Sequence, residues 1–264
     1  MTPIGIGIGI SPVLLGGGGA RWDPSQPTGG GVSAEHWYRS DQGLWQDAGV
    51  TPAVLDADPV GRWHDLTANA DHVNQAVVAR KPTLRLAVLN GHPVVRAASG
   101  NLLVGAFTNG GALTQPFTVF AVAMLAAAAV DDGVNRAIFD GDDNANRMTL
   151  FQRAAGAPDD WGWYGGQALN GGVTDSNWHI WTCRANGALF RVWKNGVSEM
   201  AGNGGAHVPD GITIFSARAT GGDHPWIGDA AEIIIYDSDL SDADKNQVGR
   251  YLATRYGLAY TDIV

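Results

Sequence analysis

Asp229-Ala-Ala-Glu-Ile-Ile-Ile-Tyr-Asp-Ser-Asp-Leu-Ser-Asp-Ala-Asp244 carries a strand and the start of a helix in one short run. Ala231–Tyr236 is dense in β-branched and aromatic side chains, which suit a pleated, packed surface. Ser241 then offers a hydroxyl at a natural N-cap position, with Asp244 three residues on as a shortened capping box. Asp242 and Asp244 sit where the positive end of a helix dipole favours negative charge. Downstream, Val248 and Leu252 share one face at four-residue spacing, Arg250 and Arg255 lie toward the other end, and Gly257 suits C′. The run predicts a helix over about 242–256 that packs through Val248, Tyr251 and Leu252.

The strand-and-turn texture continues back to Ser33. Asn-Gly, a strong hairpin signal because both residues tolerate positive φ, occurs at Asn90, Asn109, Asn170, Asn186, Asn195 and Asn203. Pro93–Arg96 and Ile212–Phe215 are short β-rich runs. Pro116–Met124 is the longest and is apolar on both faces, which predicts a central strand. Trp178–Arg184 and Leu189–Trp193 flank Asn186-Gly187 and predict a hairpin, with Trp178, Trp181 and Trp193 in the core or on a sheet face. Many short strands at this spacing predict a sandwich or barrel.

Composition agrees. The 264 residues suit one large all-β domain, and hydrophobic residues at 45% are enough for a core. The 37 glycines and only 16% charged residues argue for turns over long surface helices. Of the acidic residues 23 are Asp, whose short side chain bonds nearby backbone N–H groups in turns, and only Glu35, Glu199 and Glu232 are Glu. A net charge of −9 with no Lys/Arg run argues against a nucleic-acid partner. Cys183 is the single cysteine, so no intramolecular disulfide forms. No apolar run approaches the roughly 20 residues that span a bilayer, so no membrane partner is expected. The N-terminus lacks the basic region of a signal peptide. The expectation is a chain that stays where it is made, or leaves by lysis or within a larger particle.

Residues 1–32 differ from residues 33–264. Ile4, Ile6, Ile8 and Ile10 alternate with Gly5, Gly7 and Gly9, so in a strand every Ile would share one face. Gly16–Gly19 and Gly29–Gly31 follow. The segment reads either as a flexible tail or as an arm that adds a strand to an open sheet edge of a neighbouring subunit.

The closing stretch 229–244, with Tyr251-Leu-Ala-Thr-Arg-Tyr-Gly-Leu258, resembles the last strand and terminal helix of laminin G-like jelly-roll modules in the concanavalin A-like superfamily. Three more segments match in the right order. They are His36-Trp37-Tyr38-Arg39-Ser40-Asp41 followed by Gly49-Val50; Trp63-His64-Asp65-Leu66 leading into Asn74-Gln75-Ala76 and Lys81-Pro82-Thr83; and Asn90-Gly91-His92-Pro93-Val94-Val95-Arg96. The resemblance covers residues 33–258. It implies two antiparallel sheets in a jelly roll; it does not imply any one activity, because this fold hosts lectins, glycosidases and inert structural domains. The Ile/Gly arm resembles the short N-termini of tailed-phage structural proteins, which implies a virion component.

Glycoside hydrolysis needs two carboxylates flanking the scissile bond, roughly 5 to 9 Å apart. The three glutamates are far apart in sequence, no strand carries an alternating Asp pair, and the Ser, His and Asp residues show no nucleophile elbow. Asp140-Gly-Asp142-Asp143-Asn144 looks like a calcium loop, but Ala145 and Phe151 stand where an EF-hand needs Gly and Glu. It reads either as a solvated turn or as a rim loop holding calcium by another geometry. His64 and His72 match no zinc spacing. For sugar binding the candidates are Asp159, Asp160, Trp161, Trp163 and Tyr164, with Asp223, His224 and Trp226 as a second group. Trp161 and Trp163 share a face of an extended chain. Their rings are either ligand platforms or core residues, given how much burial energy they carry.

The sequence therefore predicts an all-β, two-sheet antiparallel jelly-roll sandwich with one C-terminal helix and an extended N-terminal arm, and no enzyme. The leading expectation is a virion structural protein, a head decoration or a tail or fibre component. It would be present in many copies and held to other virion proteins by Ile4, Ile6, Ile8 and Ile10, and would bind glycans weakly but multivalently. The alternative is a secreted or cell-surface carbohydrate-binding module. A glycoside hydrolase stands third. No cofactor is expected, calcium being the one ion the acidic loops could hold.

Overall fold

Residues 22–154, 156–218 and 223–264 are described by the computed structural model. Among them the chain begins with β1 (His36–Arg39), β2 (Leu44–Trp45), β3 (Arg62–Trp63), β4 (Val73–Asn74), β5 (Thr83–Leu89) and β6 (His92–Ala97). It continues with β7 (Leu103–Ala106), β8 (Phe117–Leu125), β9 (Arg136–Asp140), β10 (Thr149–Arg153), β11 (Asp160–Tyr164) and β12 (Ala168–Val173). It ends with β13 (His179–Ala185), β14 (Phe190–Lys194), β15 (Val197–Gly202), β16 (Gly211–Ile214), β17 (Gly228–Tyr236) and α1 (Asp242–Tyr256). The arm residues Ile4, Ile6, Ile8 and Ile10 lie outside the described residues.

The strands form two antiparallel sheets. One has the order β15-β14-β13-β8-β17-β6-β5, with β1 beside β6 on the same edge of β17. The other runs β12-β11-β10-β9-β16-β7-β4-β3-β2. The expected two-sheet sandwich with one C-terminal helix is what the chain forms.

β8 is central because both its faces are apolar. Phe117, Val119, Ala121, Ala123 and Leu125 point between the sheets, where they meet Trp63, Leu103, Leu150 and Ile214 of the opposite sheet. Phe120 and Val122 point the other way and pack, with Ile234 and Tyr236 of β17, against Val248, Leu252 and Tyr256 of α1. Each Val, Leu, Ile or Phe among them contributes about 1.5–3 kcal/mol by leaving water.

The helix begins and ends where its sequence directs. Ser241 Oγ accepts from the Asp244 amide, and Gly257 adopts φ 63°, ψ 35°, sending its N–H to Ala253 O. Residues 22–32 lie against α1. Trp22 meets Tyr251 edge-on at 5.8 Å, and the Gly29 and Gly30 amides donate to Gln247 and Asp244, each at 2.8 Å.

Asn-Gly makes the expected tight hairpin turns at Asn90-Gly91 and Asn195-Gly196, where all four residues have positive φ. Asn170-Gly171 does not. It lies inside β12, where pairing to β11 overrides the local turn preference. Aspartates fill turns as expected: Asp47 accepts from the amides of Gly49, Val50 and Thr51.

A β-bulge sets one further feature. The β17–β8 register shifts between Ala230 and Glu232, so Ala231 is the extra residue and lies on the helix side beside Glu232, which shares that face with Ile234 and Tyr236 by alternation. There the fully buried carboxylate accepts from Trp37 Nε1 at 2.6 Å, Tyr251 OH at 3.0 Å and Tyr256 OH at 2.8 Å. Burial pushes its pKa up from 4.5 to about 7, against the pull of these donors and of Arg255 and Arg39. The folded chain then holds this proton more tightly than the unfolded chain. Glu232 thus adds stability below about pH 4.5 that is lost as pH rises through about 7. Chemical denaturation from pH 4 to 8 is expected to show this decline in wild type and a flatter profile in Glu232→Gln. Parallel profiles would sink the assignment.

Candidate functional site

The two outer faces of the sandwich differ. The eight-stranded sheet is covered by α1 and by the tail, where Tyr260 and Ile263 reach Asn246. Among the described residues no helix covers the nine-stranded sheet; on its outer face Arg62, Asn74, Arg147, Arg153, Asp160 and Tyr164 are part-exposed, while Ala137, Thr149, Phe151 and Thr213 are buried.

β10 and β11 show how strand alternation sorts the candidates. Leu150, Trp161 and Trp163 point into the inter-sheet core. Trp161 and Trp163 are each only 1% exposed, and Trp226 is 0% exposed. These three indoles are not ligand platforms. Trp161 packs against Trp181 at 4.8 Å and Trp226 at 6.5 Å, and Trp163 stacks on Phe190 at 4.5 Å. Large apolar rings gain more from this burial than from a half-wet surface. Asp159 is also buried, where its carboxylate accepts from the Gly133 amide at 3.0 Å.

The other candidates converge on the outer face. Asp160 pairs two-pronged with Arg153, Nε–Oδ1 2.8 Å and Nη2–Oδ2 2.6 Å. Tyr164 sits under the Arg147 guanidinium, 5.2 Å from the ring centre, and meets His207 edge-on at 5.9 Å. His224 meets Phe151 at 5.8 Å, and Asp223 pairs with Arg218. Arg147 is held from below by buried Asp140, Nε–Oδ2 2.6 Å, and by Thr149 Oγ1 at 2.9 Å. The His207 ring accepts the Arg147 amide at 3.1 Å. The wing thus alternates rings with planar polar groups held by other side chains.

A second wing lies across the sheet on β2, β3 and β4. His64 and His72 stack at 4.0 Å and 7°, Trp45 lies 5.4 Å from His64, and Arg62 donates Nε to Asn74 Oδ1 at 2.7 Å. A cavity of about 490 Å³ opens here among Arg62, His72, Asn74, Val104 and Asn109. Burial first, then His72 and Arg62, lowers the His64 pKa to about 4, and burial with Arg62 lowers His72. Both rings are therefore neutral near pH 7 and present flat, weakly polar faces. Between the wings the outward positions on β16 and β7 are the smaller Thr213 and Val104.

Sequence reasoning missed Arg147, Phe151, His207 and the Trp45–His64–His72 stack. The period-2 pattern of β11 could have separated Asp160 and Tyr164 from Trp161 and Trp163. No local signal brings His207 to Tyr164.

At the rim, one carboxylate oxygen from each of Asp142, Asp143 and Asp210 lies within 4.8 Å of the others. That spacing and donor set fit a hard cation such as calcium. Asp142 Oδ1 is buried with no hydrogen-bond partner. Burial first and then the Asp210 charge push the Asp142 pKa up to about 6.

Comparison with protein-family models finds no match, and comparison with curated protein sequences finds none. Comparison with solved structures finds β-sandwich domains at low sequence identity. The botulinum neurotoxin serotype D binding domain superposes with a TM-score of 0.58 at 11% identity, covering 84% of this chain and 52% of that one. The same domain in complex with N-acetylneuraminic acid gives 0.55 at 13% identity, covering 82% and 52%. A Trypanosoma rangeli sialidase gives 0.53 at 12% identity, covering 86% and 33%. The chain spans about half the length of the first two and a third of the last. The similarity is one of fold.

Without cations, raising the pH through about 6 ionises Asp142 against its two neighbours and removes stability. Asp142→Asn is expected to raise the melting temperature at pH 8 in EDTA, with the gain vanishing near pH 4. Calcium added to wild type at pH 8 is expected to restore the same increment. An Asp142→Asn melting temperature equal to wild type at pH 8 would refute the repulsion.

Proposed function

We propose that this chain is a non-catalytic carbohydrate-binding module that reads glycans with the outer face of its nine-stranded sheet. One observation carries the reading. One outer face is sealed by α1, while the other displays Tyr164, His207 and the His64–His72 stack beside Arg147, Arg153, Asp160, Arg62 and Asn74. Sugars present C–H faces that lie on flat rings and hydroxyls that pair with planar polar groups, and this face supplies both.

The serotype D neurotoxin domain, which shares the fold, is seen in complex with N-acetylneuraminic acid. That supports the module reading over the virion component expected from the sequence. The virion reading drew on the Ile/Gly arm, whose first 21 residues lie outside the described ones. The concanavalin A-like and laminin G-like affiliation is kept as a proposal, resting on the sequence resemblance.

The glutamates offer no catalytic pair. Glu232 is sealed beneath α1, Glu199 accepts the Gly172 amide and pairs with Lys194, and Glu35 accepts from Asn69. No two of these occupy one cleft.

A glycan array followed by calorimetry tests the reading. Wild type is expected to bind a subset of glycans weakly and to release no reducing sugar. Tyr164→Ala is expected to weaken the best ligand about tenfold, or about 1.4 kcal/mol, without lowering the melting temperature appreciably. Equal affinity in Tyr164→Ala would overturn the placement, and release of reducing sugar would overturn the non-catalytic assignment.

A further inference from the structure

A groove of about 810 Å³ runs between α1 and the β1–β6 end of the eight-stranded sheet, on the far side of the sandwich from the glycan face. Its volume is that of a small-molecule site. Arg39 comes to it from β1, and Arg250 and Arg255 from α1; Trp22 and Tyr251 form a ring wall. The geometry points to a second binding site, for a ligand bearing a carboxylate.

The charges are arranged for an acceptor. Arg39 and Arg255 share Asp41: Arg39 gives Nε to Asp41 Oδ1 at 2.6 Å, and Arg255, which also pairs with Glu232, gives Nη2 to Asp41 Oδ2. Two guanidinium groups carry ten N–H donors between them, more than these pairings use. Arg255 Nε is buried without a hydrogen-bond partner, 3.7 Å from Glu232 Oε2. Each guanidinium lies over a ring, Arg39 over Trp37 at 4.9 Å and Arg255 over Tyr256 at 5.5 Å. Glu232 holds Trp37, Tyr251 and Tyr256 from beneath, so the floor is set before a ligand arrives. Arg250, paired with Asp262 at the mouth, supplies a third guanidinium, and Asp23 faces the groove from the Trp22 side. A guanidinium fork matches a carboxylate in shape as well as charge, which a point cation does not.

The shared chemistry is the carboxylate; its bearer is either a free organic acid or an acidic saccharide. Isothermal titration of the full chain at pH 7 with citrate, galacturonate, galactose and inorganic phosphate separates these. One or both carboxylates are expected to bind in the low-millimolar range or tighter, with galactose and phosphate at least about tenfold weaker. The preferred carboxylate names the bearer. Arg250→Gln removes an exposed side chain and is expected to fold and to weaken binding about tenfold, as loss of one charge-assisted contact does. Thr254→Trp fills the groove without changing a charge and is expected to abolish binding. The proposal is overturned if neither carboxylate exceeds galactose, if phosphate binds as tightly, or if both variants bind like wild type. Tyr164→Ala is expected to leave this titration unchanged, so failure of the glycan reading and failure of this one remain separate results.

Discussion

Phe120, Val122, Ile234 and Tyr236 point out of the eight-stranded sheet, away from the core it shares with the other sheet, and α1 shields them from water. Much of the rest of the architecture follows from that need. A sheet with two apolar faces must be covered twice, once by the opposite sheet and once by a helix. The helix is therefore capped at both ends and held along its length, by residues 22–32 on one flank and the 260–263 tail on the other. The nine-stranded sheet buries its inner face in the shared core and, on its outer face, only a small cluster of Ala137 and Phe151 under Ala217. Its outer face is the one left for surface chemistry.

Glu232 links this covering to the second site. It shares the helix side of β17 with Ile234 and Tyr236 by alternation, and the extra residue Ala231 lets Ala230 face the inter-sheet core beyond the shift. On the helix side Glu232 gathers Trp37, Tyr251 and Tyr256, whose hydroxyl or indole donors need an acceptor there. One buried carboxylate thus orders the aromatic floor on which Arg39 and Arg255 lie.

Elements with a strong local pattern were legible in the sequence. Ser241, Asp244 and Gly257 marked the helix ends because capping is decided within a few residues. Pro116–Met124 declared a central strand because it is apolar on both faces. Asn170-Gly171 misled for the opposite reason: a turn propensity of a few tenths to about 1 kcal/mol gives way to a paired strand. The candidate site was legible only in part. Asp160, Tyr164, Asp223 and His224 do reach the outer face, but Trp161, Trp163 and Trp226 were grouped with them by adjacency, and in a strand adjacent residues face opposite ways. His207 joins Tyr164 from 43 residues away and Arg147 from 17, beside the β10–β11 pairing, contacts that no periodicity encodes.

The two surfaces solve different recognition problems with the same residue types. On the nine-stranded sheet, Arg147 and Arg153 are each committed to an aspartate, Asp140 and Asp160, so their charge is largely neutralised and what remains outward is a planar polar edge beside a ring. Such a surface suits neutral hydroxyls, and its affinity per contact is modest. In the α1 groove Arg39 and Arg255 share Asp41, and Arg255 reaches Glu232 only at 3.7 Å, so guanidinium donors outnumber the pairings they make and a carboxylate can take up the rest. In a chain whose net charge of −9 repels anions at long range, such selectivity has to be local. It comes from the count and geometry of donors at a fixed floor, and the guanidiniums over Trp37 and Tyr256 provide it.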